Sequence, residues 1–230
     1  MPEGRGETVV LVHGLGSSFR HNWETTGWVD VLRGEGHEVV GVQLPGHGAS
    51  GPSGVGADEP DAADRILRVA ASFDAVSAVG FSAGAVAVLR AAARRPGSFR
   101  RLAVLGIGDR VLRPSTAEAT TRLADMIDAR EEPDDVHGRL FRRMAATAGN
   151  DPAAVAAYLR AAPGAVPPAE VERITAPTLV VVGDRDPAAP ADRLAAVLPD
   201  SQSVVLRGVD HFATTGDIRC LDAVVTFLAA

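Results

Sequence analysis

Apolar positions along the chain fall into two alternating patterns. Thr8–Val12 is a continuous apolar run ending in a glycine-rich turn, which suits a strand covered on both faces. The spacing then predicts a helix over 23–33, closed by Gly34 and Gly36. A strand over 37–44 follows, and a Pro/Gly/Ser-rich loop from Pro45 to about Pro60. Next come a helix over 61–71, a strand at Val76–Phe81, a helix over 83–95 stopped by Pro96-Gly97, and a strand over 101–105. The last third gives a strand over 178–182, a helix in 193–198, a strand over 203–206 and a closing helix over 218–228. Strands separated by helices of this length require right-handed crossovers and a mostly parallel sheet.

Residues 109–170 break the alternation with helical pieces and no strand. Ser115-Thr116-Ala117-Glu118 has the form of a capping box, Asp134 suits a second N-cap, and Asp151-Pro152 sets a capping Asp before a proline at the first helical position. Helices inserted between two sheet strands either thicken the core or form a lid over a site. Their place relative to the chemistry below favours the lid.

Composition narrows the picture. A chain of 230 residues with 46% hydrophobic and 23% charged residues suits one globular domain. The net charge of −6 argues against nucleic acid or an anionic membrane surface as a partner. All 23 basic residues are arginine, which is read as a bias of genome composition. The single cysteine, Cys220, rules out an intramolecular disulfide and a cysteine-rich metal site. The polar N-terminus lacks the apolar stretch of a secretory signal, and no run approaches the roughly 18 apolar residues of a membrane span. A cytoplasmic location is the expectation.

Gly80-Phe81-Ser82-Ala83-Gly84 matches G-x-S-x-G and lies between a predicted strand and a predicted helix. A serine at such a turn is exposed at the sheet edge and strained, and side chains two residues either side would collide. An alternative is an ordinary Gly/Ser turn into a helix. A hydroxyl needs a base, and among six histidines His211 follows the last predicted strand at that same edge. His21, His37 and His137 read as surface residues, whereas His13 and His47, in glycine-rich loops, could line the site. A carboxylate must orient the base, and Gly183-Asp184-Arg185-Asp186 follows another strand. The oxyanion of acyl transfer needs backbone donors. Ala83 N–H is one candidate, and Leu15 N–H, with Gly16 second, is the other, in the turn His13-Gly14-Leu15-Gly16. That turn does not begin a dinucleotide site, because Phe19 stands where the third glycine of G-x-G-x-x-G belongs.

Four motifs together resemble the α/β-hydrolase superfamily from about Thr8 to the C-terminus. They are His13-Gly14-Leu15-Gly16, Leu44-Pro45-Gly46-His47-Gly48-Ala49-Ser50, Gly80-Phe81-Ser82-Ala83-Gly84, and Gly183…Asp186 with His211. The resemblance implies a three-layer α/β fold with about six mostly parallel strands, and a core of 1–108 and 171–230 with a helical cap at 109–170. It implies a catalytic Ser82, Asp186 and His211. The acid of that family stands three residues after the glycine ending its strand, which favours Asp186 over Asp184. Gln43 departs from the Asp that commonly ends the strand before Pro-Gly-His-Gly, a change expected to touch packing or a local hydrogen bond. The antiparallel edge strands that many relatives carry at the N-terminus are missing from the pattern.

The expected activity is hydrolysis of a small to medium, mostly apolar carboxylic ester through an acyl-enzyme. No metal or cofactor is implied: there is no H-E-x-x-H and no phosphate loop. Thioesters, lactones and activated C–C bonds stay open as substrates. So do a lyase, acyltransferase or cofactor-free haloperoxidase activity, and a ligand-binding protein of the same fold. Helical spacing in the insertion groups Leu123, Met126 and Ile127, then Leu140, Phe141 and Met144, then Tyr158 and Leu159. Of these, Met126, Phe141, Met144 and Tyr158, with Gly14, Gly16, Phe81 and Phe212, are the candidate substrate contacts. Phe81 and Phe212 are expected to pack beneath the catalytic residues, and Trp23 and Trp28 to serve the core or the cap.

Overall fold

A computed structural model describes residues 6–48, 61–113, 117–129, 136–162 and 164–230. The expected caps Ser115 and Asp134, and most of the loop 45–60, lie outside the described residues.

Strand β1 (Thr8–Val12) is followed by one π-helical turn (Arg20–Glu24), helix α1 (Trp28–Gly34) and β2 (Glu38–Val42). The single helix expected over 23–33 is therefore two pieces. Gly27 at φ 83° leaves the helical region, and the Thr25 and Thr26 hydroxyls bond back to the His21 and Asn22 carbonyls at 2.9 and 2.6 Å. The apolar spacing runs through this break because Trp23 and Trp28 bury on the same side, edge to face at 5.0 Å.

Helix α2 (Ala62–Ala70), β3 (Val76–Phe81), α3 (Ala83–Arg94) and β4 (Leu102–Leu105) come next. The Asp61 carboxylate caps α2 by accepting from the Ala63 and Asp64 amides at 2.8 and 3.1 Å. Helices α4 (Ala117–Asp128), α5 (Val136–Thr147) and α6 (Pro152–Ala161), with the short α7 (Pro168–Val171), separate β4 from β5 (Thr178–Gly183). Asp151 caps α6 from just before its proline, as the sequence predicts. Helix α8 (Asp192–Val197), β6 (Ser201–Leu206) and α9 (Ile218–Ala229) complete the chain.

The six strands form one sheet in the order β2-β1-β3-β4-β5-β6, every pairing parallel. Alternate residues divide its two faces. Val10, Val12, Ala78, Val104 and Val180 pack against α2, α3 and α8. Val9, Leu11, Val79, Leu105 and Val181 pack against α1 and α9. This three-layer arrangement is the fold class the sequence predicts.

A third, small cluster is formed by Ala124, Ile127, Ala145, Val155 and Ala156 of α4 to α6, and Leu15 joins it from the core. The ends of the 109–170 stretch pack differently. The Asp109 carboxylate accepts from the Arg193 and Leu194 amides at the start of α8, and Val166 and Val171 lie in the main core.

Candidate active site

In a parallel sheet all C-terminal strand ends share one edge, and a crevice opens where the strand order reverses. Here the reversal falls between β1 and β3, because β2 lies to one side of β1 and all later strands to the other. The turn after β1 and the serine after β3 therefore meet. A Cβ on Gly14 would stand 2.9 Å from the Phe81 ring and 3.3 Å from Ser82 Cβ.

Ser82 is the one non-glycine residue at positive φ among the described residues, with φ 53° and ψ −117°. Its amide donates to the Leu105 carbonyl at 2.8 Å, which fixes the turn. The flanking glycines are required by contact. A Cβ at Gly80 would meet Gly84 O at 2.6 Å, and one at Gly84 would meet the Val12 and His13 carbonyl oxygens at 2.4 Å. The whole turn is pressed against the end of β1.

His211 Nε2 is 3.0 Å from Ser82 Oγ, and its Nδ1 is 2.7 Å from Asp186 Oδ2. The buried Asp186 is itself held, since its Oδ1 accepts the Ala188 amide at 2.7 Å. Asp184 has a different partner: its carboxylate accepts the Gly208 amide at 2.7 Å. With the Arg185 amide on the Val209 carbonyl at 3.1 Å, it ties the loop after β5 to the loop bearing His211. A Cβ at Gly183 would lie 2.1 Å from Val209 O, so the two loops touch backbone to backbone.

The turn after β1 is held from several sides. The Gly14 amide donates to Asn22 Oδ1 at 3.0 Å, and the Gly16 amide to His47 Nε2 at 2.8 Å. Gly16 stands at φ 70° beneath α5, close to the Phe141 carbonyl and the Met144 methyl. Leu15 N–H and Ala83 N–H have no hydrogen-bond partner among the described residues. Two backbone donors at the serine turn are thus unpaired among the described residues.

His13 and His47 are buried supports and do not line the cleft. Each donates from Nδ1 to a carbonyl, of Gly14 and of Pro45, and accepts an amide at Nε2, from Leu44 and from Gly16. Burial first, then repulsion from His47, lowers the His13 pKa to about 3. Burial first, then repulsion from Arg65, lowers that of His47 to about 4. Gln43, the departure from the family pattern, accepts the Phe19 amide at 3.1 Å.

No motif or spacing in the sequence singles out Asn150. This buried residue follows α5, donates to the Gly16 and Ser17 carbonyls at 2.8 and 2.9 Å, and accepts the Gly48 amide at 2.6 Å. It pins the helical layer to the turn carrying Leu15.

A cleft of about 700 Å³ opens at Ser82 and His211. Its apolar walls include Val86, Ile107, Val111, Leu123, Leu140 and Phe141, and Arg110, Arg185 and Asp210 add charge. Of the expected contacts, Phe141 and Phe212 line this cleft, and Met126, Met144 and Tyr158 do not. Spacing finds the apolar faces of α4 and α5, and cannot tell which part of a face is spent on seating the helices. Leu123 and Leu140 have the cleft positions, while Met144 covers Gly16. Phe81 is buried against the His211 ring at 5.1 Å. Phe212, expected beneath the site, is 42% exposed and meets Phe141 edge to face at 5.8 Å, so it stands at the cleft wall. Trp23 and Trp28 are core residues. Among the described residues no three His, Cys, Asp or Glu side chains converge to hold a metal ion, and no helix is long and apolar enough to cross a membrane.

The model of the Alpha/beta hydrolase family matches residues 9–217. A search of curated proteins finds no match. Among solved structures, the enol-lactonase from Burkholderia xenovorans LB400 is similar at a TM-score of 0.77 and 20% identity, over 100% of this chain and 94% of that one. A bromoperoxidase from Bacillus anthracis is similar at 0.70 and 21%, over 98% and 92%. An esterase from Rhodococcus sp. ECU1013 is similar at 0.67 and 19%, over 98% and 91%. At these identities the likeness is one of fold.

Proposed function

The chain belongs to the alpha/beta hydrolase family, and from that premise we propose that it hydrolyses a small to medium, mostly apolar carboxylic ester through an acyl-enzyme. The observation that carries the reading is the continuous hydrogen-bonded line from Ser82 Oγ through His211 to Asp186, at 3.0 and 2.7 Å, at the floor of an apolar cleft.

In this reading Ser82 Oγ attacks the ester carbonyl as His211 Nε2 takes its proton. Asp186 keeps the Nδ1–H tautomer in place and stabilises the imidazolium. The carbonyl oxygen becomes an oxyanion held by the Leu15 and Ala83 amides, at the positive end of α3. His211 returns the proton to the leaving alcohol, and the C–O bond breaks to leave the acyl group on Ser82. Water then repeats the sequence: His211 takes its proton, the second tetrahedral intermediate collapses, and Ser82 Oγ recovers a proton as the acid departs. The helical layer α4 to α6 acts as the cap, contributing Leu123, Leu140 and Phe141 to the cleft.

The test is labelling with a fluorophosphonate probe, wild type beside Ser82→Ala, followed by peptide mapping and assay on a panel of esters. An adduct on Ser82 with ester turnover, both lost in the variant, is the expected result. Folded wild-type protein that takes no label and turns over no ester would overturn the reading.

A further inference from the structure

The two loops that the proposed reaction must bring to one carbon come from distant parts of the chain. The turn 13–16 after β1 carries the Leu15 amide, and the loop 207–217 after β6 carries His211. One buried side chain joins them. Asn22, 6% exposed, lies in the π-helical turn Arg20–Glu24, where it is buried together with Trp23. Its Oδ1 accepts the Gly14 amide at 3.0 Å, and its Nδ2 donates to Thr215 Oγ1 at 3.4 Å, across 193 positions of sequence. The Gly14 N–H can only donate and so requires Oδ1, which leaves the Nδ2 edge for the hydroxyl. Among the described residues no other side chain hydrogen-bonds to both loops.

Both ends of this link are held beyond Asn22. Thr215 is buried in the one-turn helix Thr214–Gly216, and its carbonyl accepts Trp28 Nε1 at 2.7 Å. The Thr214 hydroxyl donates to the Asp210 carbonyl at 3.0 Å, and Asp210 Oδ1 accepts the Ala213 amide at 3.0 Å, so the loop folds on itself around His211. At the other end Gly14 is packed on the Phe81 ring and on Ser82. The backbone of Asn22 is committed too. Its amide donates to the Ser18 carbonyl at 3.0 Å, and its carbonyl accepts the Thr26 hydroxyl at 2.6 Å.

Ester hydrolysis needs the two loops in register at the same moment. The oxyanion must sit on its amides while His211 Nε2 stays within hydrogen-bond reach of the leaving oxygen. Misplacing one group by about 1 Å can cost about 100-fold in rate. Chain connectivity cannot supply that precision between segments so far apart. Resting on the hydrolase reading above, we infer that Asn22 is a positioning residue that holds the Leu15 amide in register with His211. Asn150 grips the carbonyls of the same turn from the helical layer. Asn22 grips the amide before Leu15 from the core and ties it to the loop of the base. It does not line the cleft, so its effect passes through Gly14 and Thr215.

The experiment measures kcat and KM on the ester that wild type turns over best, for Asn22→Ala, Thr215→Val, Thr215→Ser and the double variant Asn22→Ala/Thr215→Val. Inhibition by the matching trifluoromethyl ketone, whose adduct with Ser82 places an oxyanion on the same amides, is measured beside urea titrations. Asn22→Ala lowers kcat by about 10- to 100-fold, changes KM by less than about threefold, and weakens the ketone by a factor similar to the loss in kcat. Thr215→Val lowers kcat by about 3- to 10-fold, and Thr215→Ser, which keeps the hydroxyl, restores it. The double variant is no slower than Asn22→Ala, because both substitutions cut one link. A lower urea midpoint with kcat and ketone inhibition unmoved in the folded variant overturns the inference, as does a double variant whose losses multiply. Should Asn22→Ala fail to fold, equal kcat in Thr215→Val and Thr215→Ser overturns it. All these results leave the hydrolase reading standing, whereas wild type with neither fluorophosphonate label nor turnover overturns the reading and the inference together.

Discussion

Replacing Asn150 with alanine tests whether the helical layer holds the Leu15 amide, the oxyanion donor of the proposed mechanism, in place. The substitution strips the Gly16 and Ser17 carbonyls of a shared donor and the Gly48 amide of its acceptor, in a site where Asn150 is 6% exposed. Each stranded buried group costs about 1–3 kcal/mol. Relaxation and water entry recover part of that, leaving a net loss of about 3 kcal/mol. The turn has two ways to meet that cost. It can stay, in which case the loss appears as a lower urea midpoint. It can instead rotate its carbonyls toward solvent, which moves the Leu15 amide between them. An oxyanion donor is worth about 10²- to 10³-fold in kcat, so a displaced one lowers kcat by about 10- to 100-fold with KM little changed. Asn150→Asp is expected to do no better. Its carboxylate keeps the acceptor for Gly48 but turns an anionic oxygen toward two carbonyls. Steady-state kinetics on the ester that wild type turns over best, beside urea titrations, separate the two outcomes. A variant that loses stability while kcat stays intact would refute the coupling. Unchanged values of both would refute the hydrogen-bond account altogether.

Three further outcomes are expected. Asp186→Asn lowers kcat by about 10⁴-fold, whereas Asp184→Asn, whose amide oxygen still accepts the Gly208 N–H, changes it little; the reverse order in ester assays would move the acid to Asp184. Gly84→Ala forces a methyl to within 2.4 Å of two backbone oxygens at the end of β1 and destabilises by about 2–3 kcal/mol, with a wild-type urea midpoint as the contrary result. For pH, His13 and His47 have folded pKa values of about 3 and about 4, below the unfolded value of about 6.5. The unfolded chain binds the extra protons between these values, so this stability is complete above about pH 6.5 and is lost as pH falls through about 4. The slope approaches about 1.4 kcal/mol per pH unit for each histidine, and the urea midpoint should fall from pH 6.5 to 4.5, less steeply in His47→Gln. An equal slope in that variant would exclude His47 as a source.

The core was legible because its signals are local. The apolar run of β1, the strand–glycine–serine–glycine–helix order around Ser82, and the Asp-Pro start of α6 each occupy a few consecutive residues and have a physical meaning at short range. The divided helix at 23–33 was misread for a related reason. Trp23 and Trp28 bury on the same side whether or not Gly27 interrupts the backbone, so periodicity alone is blind to the break. The lining of the cleft was least legible. Met126, Met144 and Leu140 all belong to apolar helical faces, and only the packing of α4 to α6 against Leu15 decides which of them reach the cleft.

The backbone partners of four buried side chains were not legible in the sequence, for a common reason. His13, His47, Asn22 and Asn150 act on backbone groups far away in the chain, as in the 31-residue span from His47 to Gly16 and the 134-residue span from Asn150 to Gly16. Such bonds create no period and no motif, since the partner is an amide or a carbonyl that every residue carries. They are nevertheless the reason the turn after β1 can leave an amide unpaired. A loop with free backbone donors gains by rotating them onto water or its own side chains. Here the Gly14 and Gly16 amides on either side of Leu15 are already bonded to Asn22 and His47, and the carbonyls of Gly16 and Ser17 to Asn150. With its neighbours committed, Leu15 has little freedom to turn its N–H away. Burial lowers the pKa values of His13 and His47 and so keeps each imidazole neutral and able to accept an amide at Nε2. Preorganisation of this turn is thus a property of buried residues outside the cleft lining.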